Sequence, residues 1–348
     1  MRLLEDRSEK ILEAIVAQYI ATGEPVGSRT VSKNRKIGLS AASVRNVMSD
    51  LTEKGYIEQP HVSAGRVPTD LGYRLYVDML LNDLIYDQRE IPGIETRIRS
   101  AGLDLRDVFR QSSSVLAGLS GQAGVVSTIP PRELTFKSIE LIKVADDRIL
   151  VVLVATSGFV QNKMIPDEDG IDQQTLESYS RMLDDLLKHL DLRQAKERIE
   201  QELATEKAKF DAVLANALRM GYSILSQDDA REIFIEGQTN ILNDPEFSEL
   251  ATLKAILLTF QEKSKLLRIL DKTLEAEGMQ VFIGAEHGLD EIESCSIVAY
   301  PIRSADMVWA SIGVIGPKRM DYQKVVPLVD TTARILTQLL KNHIERDT

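Results

Sequence analysis

The stretch that decides the fold is SAASVRNVMSDLTEKGYIEQPH, residues 40–61, followed by VSAGRVPTD, residues 62–70. Ser40 is a typical helix N-cap, and Gly55 stands where a helix C-cap is expected. The apolar residues between them recur at three- and four-residue intervals: Val44, Val47, Met48 and Leu51. This spacing predicts an amphipathic helix over the segment between the two caps.

The opposite face of this helix carries short polar side chains, with one arginine and one asparagine: Ser43, Arg45, Asn46, Ser49 and Asp50. Their donors and acceptors match those of base edges and phosphates in the major groove of DNA. A helix that is merely solvated more often carries long glutamate and lysine side chains. The face is therefore a candidate DNA-reading surface.

Two further helices are predicted upstream, and a hairpin is predicted downstream. Residues 6–9, DRSE, resemble an N-capping box ahead of an amphipathic helix that Gly23 and Pro25 end, and Ser28 is the expected cap of a short helix over residues 29–33. Residues 56–59 are typical of a strand, and residues 60–69 are typical of a small-residue tip followed by a second strand. Three helices and a hairpin predict a winged helix-turn-helix at the N-terminus.

Candidate DNA contacts follow from this arrangement, because hydroxyls, arginines and backbone N–H groups make most contacts to the DNA backbone. The start of the second helix would hold the backbone, the third helix would read bases, and the hairpin would add contacts at its tip. The full set is Ser28, Arg29, Thr30, Ser40, Ser43, Arg45, Asn46, Ser49, His61, Ser63, Gly65 and Arg66. The alternative is a three-helix module that binds another protein.

The charge distribution favours DNA over a protein partner for this segment. The whole chain of 348 residues has a net charge of −11, which by itself argues against nucleic acid. Residues 25–74, however, contain eight basic and four acidic residues. This asymmetry is typical of a small nucleic-acid-binding module attached to a larger acidic body. Affinity for duplex DNA that falls steeply with salt would distinguish a DNA-binding module from a protein-binding one.

The remaining sequence alternates strand, helix and strand patterns, which predicts an α+β protein with an insertion in its second domain. Strands are expected near residues 125–129, 136–144, 149–155 and 159–165, and again near 280–284, 296–300 and 308–315. An apolar stripe at heptad-like spacing runs through Leu176, Tyr179, Leu183, Leu186 and Leu190. It is compatible with a dimer seam or with an ordinary core face.

Several classes of function are disfavoured. The longest aliphatic run, residues 149–155, is too short to span a bilayer, and the N-terminus lacks the apolar core of a secretory signal, so a cytoplasmic protein without membrane segments is expected. One cysteine and four histidines offer no ligand set for a metal, and no cofactor is expected. The sequence has no nucleophile elbow, zinc-protease motif or Walker lysine, so it predicts no enzyme. The glycine-containing runs at residues 118–124 and 313–318 are interpreted as turns that bound strands.

Segments along nearly the whole chain carry a family resemblance, among them GEPVGSRTVSK (23–33), SAGRVPTDLGYRLYVD (63–78) and SIGVIGPKRMDYQKVVPLVDTTARIL (311–336). They resemble the HrcA family of heat-inducible transcription repressors. The resemblance implies a GAF-like α+β domain interrupted by an inserted, largely helical dimerisation domain. With the winged helix at 1–75 and a helical connector at 76–103, the expected boundaries are 104–165 and 276–348 for the two GAF-like parts and 166–275 for the insert.

The resemblance also implies a function. The protein would repress chaperone operons by binding an inverted-repeat operator, and the chaperonin GroEL would promote its active fold. A homodimer is expected because one recognition helix reads few base pairs, and two-fold symmetry matches an inverted repeat. The alternative is a ligand-regulated winged-helix and GAF transcription factor of another regulon.

Overall fold

The computed structural model describes residues 4–83, 93–102, 104–128, 135–156, 160–167, 170–205, 212–226, 231–304 and 307–347. The chain forms two compact units. The first comprises Met1–Ser127, Ile233–Ile302 and Ala310–Leu336, and the second comprises Thr128–Glu232, Arg303–Trp309 and Thr337–Thr348. The expectation of an α+β protein is confirmed.

The helices in chain order are α1 (Asp6–Thr22), α2 (Ser28–Ser32), α3 (Ala41–Glu53), α4 (Asp70–Asp83), α5 (Ile94–Arg99), α6 (Leu105–Ser120), α7 (Gln173–Leu187), α8 (Leu192–Leu203), α9 (Ala212–Ser226), α10 (Gln238–Leu242), α11 (Leu250–Gln261), α12 (Lys263–Leu274) and α13 (Tyr322–Asp347). The strands are β1 (Ile57–Glu58), β2 (Val67–Pro68), β3 (Ala123–Thr128), β4 (Phe136–Ala145), β5 (Arg148–Ala155), β6 (Val160–Pro166), β7 (Ile233–Glu236), β8 (Gln280–Ile283), β9 (Cys295–Ser304) and β10 (Met307–Pro317). Short 3₁₀ helices span Pro245–Phe247, Gly284–His287 and Asp290–Ile292.

The N-terminal part of the first unit contains the three predicted helices and the predicted hairpin. Helix α3 buries its apolar stripe, Val44, Val47, Met48 and Leu51. Strands β1 and β2 pair antiparallel, with Ile57 opposite Pro68. We call this part, residues 4–69, the head.

Two helix starts in the head differ from the prediction. Helix α1 begins at Asp6 with Glu5 as its N-cap, and helix α2 begins at Ser28 with Gly27 as its N-cap; neither has a side-chain cap. The capping box at residues 6–9 and the capping role of Ser28 are therefore wrong. Asp6 and Ser28 lie inside their helices, and the backbone carbonyls of Glu5 and Gly27 accept the first helical N–H bonds instead.

The rest of the first unit is built on a five-stranded sheet of order β7-β3-β10-β9-β8. Helices α11 and α12 supply the core on one face of this sheet. The buried cluster includes Val125, Phe247, Ile256, Leu266, Ile269, Ile292 and Ile297. The two glycine-containing runs lie largely in regular structure: Gly118 is in α6, while Gly124 and Gly313 are in strands. Residues 121 and 122 turn the chain between α6 and β3, as expected for the first run, whereas residues 313–317 lie within strand β10, so the interpretation of the second run as a turn is wrong. At Gly124 a side chain would lie 2.1 Å from the Ser113 carbonyl oxygen, so close packing of helix on strand explains the glycine.

The second unit is built on an antiparallel sheet of order β4-β5-β6. Its inner face packs on α7, α8 and α9 through a core that includes Ile139, Leu141, Ile149, Val151 and Ile199. The stripe from Leu176 to Leu190 packs in the same cluster. The structure thus favours the core face over the dimer seam for this stripe.

Side chains of α7 cover the edge of strand β4. The backbone N–H groups of Ile139, Leu141 and Lys143 donate to Asp184, Ser180 and Gln173, respectively. These acceptors are spaced by four and seven residues, so they lie on one face of the helix. An edge strand covered in this way is protected from pairing with another chain.

The division into units differs from the boundary drawn at residues 165 and 166. Strands β4 to β6 belong to one unit with the helices that follow them, because the inner face of their sheet packs on those helices. Strand β3 pairs instead with β7 across a long stretch of chain. The labels GAF-like and dimerisation domain stay predictions. Residues 84–92 of the predicted helical connector lie outside the described residues.

Candidate nucleic-acid interface

Helix α3 presents the predicted polar face to solvent. Arg45, Asn46 and Ser49 are exposed, while Ser43 is half-buried. The first turn of the helix contains no acidic residue, and Asp50 and Glu53 lie in its C-terminal half. The partial positive charge of a helix N-terminus favours phosphates, and recognition helices contact bases mainly with their N-terminal residues. The charge of α3 therefore suits DNA at the end where contacts are expected.

Two of the predicted helix contacts also build the start of α3. The Ser40 hydroxyl accepts the backbone N–H of Ser43 at 3.2 Å, as the predicted N-cap does, and the two hydroxyl oxygens are 3.0 Å apart. These hydroxyls are fixed to each other and to the backbone. They define where the helix begins and can present only their remaining hydrogen-bonding capacity outward.

Helix α2 packs beside α3 and carries the three predicted backbone contacts. Arg29 and Thr30 are exposed and Ser28 is half-buried. Val31 points inward and is 3% exposed. The basic residues that follow, Lys33, Arg35 and Lys36, are exposed as well. This side of the head thus offers hydroxyls and cations to a polyanion without an acidic side chain between residues 25 and 49.

The hairpin tip projects the first two of the four predicted contacts. His61 and Ser63 are exposed, and Val62 between them is fully exposed. Gln59 closes the tip, since its side-chain amide donates to the carbonyls of Val62 and Ala64 at 2.8 and 3.0 Å. The tip is therefore held in shape by the strand that leads into it.

The other two predicted contacts, Gly65 and Arg66, are partly buried and also contact the rest of the head. The Nε–H of Arg66 donates to the Thr52 hydroxyl of α3 at 3.1 Å. Gly65 lies against residues 25 and 26, where a Cβ atom would stand 2.6 Å from the Pro25 carbonyl oxygen. Val26 and Arg66 exchange backbone hydrogen bonds of 2.8 and 2.9 Å. Both residues thus fasten the hairpin to the helices in this structure.

Sequence reasoning missed Thr52, Gln59 and Gly72. Thr52 and Gln59 attach and shape the hairpin, and Gly72 lets α4 approach β1, since a Cβ there would lie 2.1 Å from the Tyr56 carbonyl oxygen. The glycines of the SAGRVPTDLGY segment carried a detectable signal, because glycine is required where two backbones meet closely. Thr52 and Gln59 carried none, since their partners lie across the fold.

The described residues contain neither a cluster of metal ligands nor a helix that could span a membrane. No group of three or more histidine, cysteine, aspartate and glutamate side chains there could hold a metal ion. No helix in the described ranges is both long and apolar enough to cross a membrane. Cys295 is fully buried, and burial raises the pKa of its thiol to about 12, so it remains a protonated core residue.

A polar helix face without acidic residues at its N-terminal end, a second helix packed beside it and a hairpin behind it are typical of a DNA-binding regulator. Comparison with known proteins identifies the family. Residues 106–326 match the sequence model of the HrcA protein C-terminal domain. The chain is also 41% identical over 341 residues to the heat-inducible transcription repressor HrcA of Syntrophobacter fumaroxidans, covering 97% of this chain and 98% of the relative. The chain belongs to the HrcA family.

Two further comparisons agree. The heat-inducible transcription repressor HrcA of Geobacter sulfurreducens is 43% identical over 338 residues, which cover 97% of this chain and 98% of that protein. A crystal structure at 2.2 Å, described as that of a hypothetical protein, superposes with a TM-score of 0.66 and 24% identity. It covers 98% of this chain and 99% of that one, and it supports the fold alone.

Proposed function

We propose that this chain is a heat-inducible transcription repressor that binds an inverted-repeat operator as a homodimer through a winged helix-turn-helix head. The repressor function follows from membership of the HrcA family and from the names of its relatives. The observation that carries the DNA-binding part is the exposed polar face of α3: Arg45 and Asn46 lie in the N-terminal half of the helix, which lacks acidic residues, and Ser49 lies further along the same face.

Specific recognition is assigned to α3, and backbone contacts are assigned to α2 and the hairpin tip. Arg45 and Asn46 have the side chains that read guanine and adenine through paired hydrogen bonds. Arg29, Thr30, His61 and Ser63 are exposed and suited to phosphate and sugar contacts. Arg66 and Gly65 support this surface from behind, as their contacts with Thr52 and Val26 indicate.

The experiment is operator binding by Arg45→Ala compared with Lys54→Ala, which removes the same charge just past the end of α3. A base contact predicts a loss of about 1 to 3 kcal/mol of specific binding free energy for Arg45→Ala and a smaller loss for Lys54→Ala. The duplex is the segment protected in footprinting upstream of a chaperone operon, with a scrambled duplex as reference. Unchanged operator binding by Arg45→Ala would contradict the assigned role.

The outer face of the β4-β5-β6 sheet supports the homodimer. Ile142, Leu150 and Met164 stand in register across the three strands, and Ile142 and Met164 are exposed while Leu150 is half-exposed. Val144, 48% exposed, extends the apolar surface along β4. Burial of apolar side chains on both faces stabilises such a sheet, and helices already cover its inner face. The outer face is therefore the one left for a second copy of the chain to cover. We therefore assign the dimer contact to this face.

Light scattering of the purified chain tests the dimer. Wild type is expected at twice the chain mass, whereas Ile142→Asp places a charge in the contact and is expected to shift the protein to monomer. Gln174→Asp, which adds the same charge at an exposed position of α7 on the opposite side of the sheet, is the control. A monomeric wild type, or an unchanged dimer in the Ile142→Asp variant, would contradict the assignment.

The chaperonin step rests on the family resemblance. GroEL would restore the DNA-binding fold, so that heat-damaged proteins competing for it lower the amount of active repressor. A fold stable by a few kcal/mol can lose its active fraction through such competition. Operator binding after thermal stress, measured with and without GroEL and ATP, is expected to recover only with the chaperonin; equal recovery in both samples would contradict the step.

A further inference from the structure

One short loop in the part of the first unit that follows α4, which we call the body, contacts the end of α1 and the first residue of α4, on either side of α2, α3 and the hairpin. Residues 318–321, Lys318-Arg319-Met320-Asp321, connect β10 to α13, and we call them the clamp loop. Hydrogen bonds to Ser294 and Tyr322 and the burial of Met320 hold the clamp loop in place. The Lys318 backbone N–H donates to the Ser294 carbonyl, the Lys318 carbonyl accepts from the Tyr322 hydroxyl at 2.9 Å, and Met320 is 1% exposed.

Arg319 contacts the C-terminal end of α1. Its guanidinium donates from Nη1 to the Ile20 carbonyl at 3.1 Å and from Nε to Glu246 at 2.7 Å. The guanidinium lies over Gly23, where a Cβ atom would stand 3.2 Å from its Cζ atom. Only 17% of the Arg319 side chain is exposed. A cation here also stabilises the helix C-terminus, whose carbonyls carry partial negative charge.

Lys318 contacts the N-terminal end of α4, directly after the hairpin. Its Nζ lies 2.7 and 3.0 Å from the two carboxylate oxygens of Asp70. The pair lies over Gly284, where a Cβ atom would stand 2.4 Å from Asp70 Oδ2. One turn further along α4, Arg74 forms an ion pair with Glu286, and Tyr73 lies with its ring centre 6.3 Å from that of the buried Tyr322.

These contacts hold the chain where it enters α2 and where it leaves the hairpin. Between those two points lie the recognition helix and every candidate DNA contact. We propose that Lys318 and Arg319 are positioning residues for DNA binding: they fix the orientation of the head on the body, so that two heads of a dimer meet both halves of an inverted repeat together. The inference rests on the proposed function, because it takes the head as the DNA-binding part.

The physical reason is the gain from linking two binding events. When the first head is bound, the second meets its half-site at an effective concentration that the geometry of the connection sets. A head held at a fixed orientation loses little freedom on binding. A head that is free to rotate loses that rotational freedom when it binds the second half-site. This loss weakens the complex with the full inverted repeat, but it does not affect the binding of one head to one half-site.

The test compares two duplexes: the footprinted inverted repeat and the same duplex with one half scrambled. Lys318→Met and Arg319→Met are each expected to weaken binding to the intact repeat by about tenfold or more, and to leave binding to the half-scrambled duplex within about twofold of wild type. Lys324→Met, at an exposed lysine near the start of α13, removes the same charge and is expected to change neither affinity. The exchanged pair Asp70→Lys with Lys318→Asp is expected to recover binding relative to Lys318→Asp alone.

Equal losses of affinity for both duplexes would show that the clamp loop only stabilises the head. Wild-type affinity of both variants for the intact repeat would show that the clamp loop does not position the head. Either result overturns the inference while wild type still prefers the intact repeat. If wild type itself binds intact and fully scrambled duplexes alike, the proposed function fails, and the inference fails with it. Retained binding to the half-scrambled duplex shows that each variant is folded.

Discussion

Replacing Gly65 by alanine adds one methyl group where the hairpin meets the segment between α1 and α2. The new Cβ would stand 2.6 Å from the Pro25 carbonyl oxygen and from the carbonyl carbon and oxygen of Val26. Ordinary contact begins at 3.4 Å, so the two segments would have to separate by about 0.8 Å. All three contacting atoms belong to backbone, which cannot rotate away as a flexible side chain would.

The cost follows from what this separation breaks. The two hydrogen bonds between Val26 and Arg66, now 2.8 and 2.9 Å, would lengthen beyond the range of a hydrogen bond. Each contributes about 0.5 to 1.5 kcal/mol, and the steric strain adds about 1 to 3 kcal/mol, so local opening of the hairpin should become easier by about 2 to 6 kcal/mol.

Amide hydrogen exchange followed by mass spectrometry measures this local stability directly. Peptides that contain Val26 and Arg66 are expected to exchange at least about 30-fold faster in Gly65→Ala than in wild type. Gly118→Ala is the matched control, because the added Cβ meets nothing within 4 Å and the helix interior favours alanine by about 1 kcal/mol. Wild-type exchange rates at Val26 and Arg66 in the Gly65→Ala protein would refute the packing argument.

Three further predictions concern single contacts. Ser40→Ala removes the N-cap of α3 and should speed amide hydrogen exchange in the first turn of that helix by an amount equivalent to about 1 kcal/mol. Ser49→Ala, on the exposed face of the same helix, should leave this exchange rate unchanged. Equal rates in the two variants would count against the cap. Lys143→Met removes the cation that lies 2.9 Å from the Asp167 carboxylate, a side chain that is 0% exposed. The buried charge left without a partner should lower the melting temperature of the second unit markedly, and adding Asp167→Asn should recover part of the loss. No recovery in the double variant would argue against the ion pair. Burial lowers the pKa of His287 below its ordinary 6.5, so the unfolded chain binds the proton more readily than the folded chain. The free energy of unfolding should therefore fall as the pH drops below 6.5, by at most about 1.4 kcal/mol for each pH unit. His287→Gln should reduce this loss, and an identical acid dependence in the variant would contradict the assignment.

The elements of the head could be predicted because local signals agree there. The Ser40 cap, the stripe from Val44 to Leu51 and Gly55 lie close together in sequence and specify one helix between them. The exposed polar face follows from the same spacing, since residues on the side opposite a buried stripe must face solvent. The roles of Arg66 and Gly65 could not be predicted, because their partners Thr52 and Val26 are brought to them only by the fold.

The assignment of strands to sheets was the part that sequence pattern could not supply. Residues 149–155 have the continuous apolar pattern of a buried strand, but this pattern does not show which sheet the strand joins. Strand β3 leaves its neighbours in sequence and pairs with β7, about a hundred residues later. Such long-range pairing depends on packing between elements, which the spacing of apolar residues within one element does not record.

The most direct test of the central claim is the affinity of the purified full-length chain for the footprinted inverted repeat at low and high salt, with a scrambled duplex of equal length as reference. We expect a clear preference for the repeat at both salt concentrations and a fall in affinity of about a thousandfold or more between about 50 and about 200 mM salt, because basic heads that contact phosphates release counterions on binding. Equal affinity for the two duplexes, or binding that does not change with salt, would show that the head is not a sequence-specific DNA-binding module.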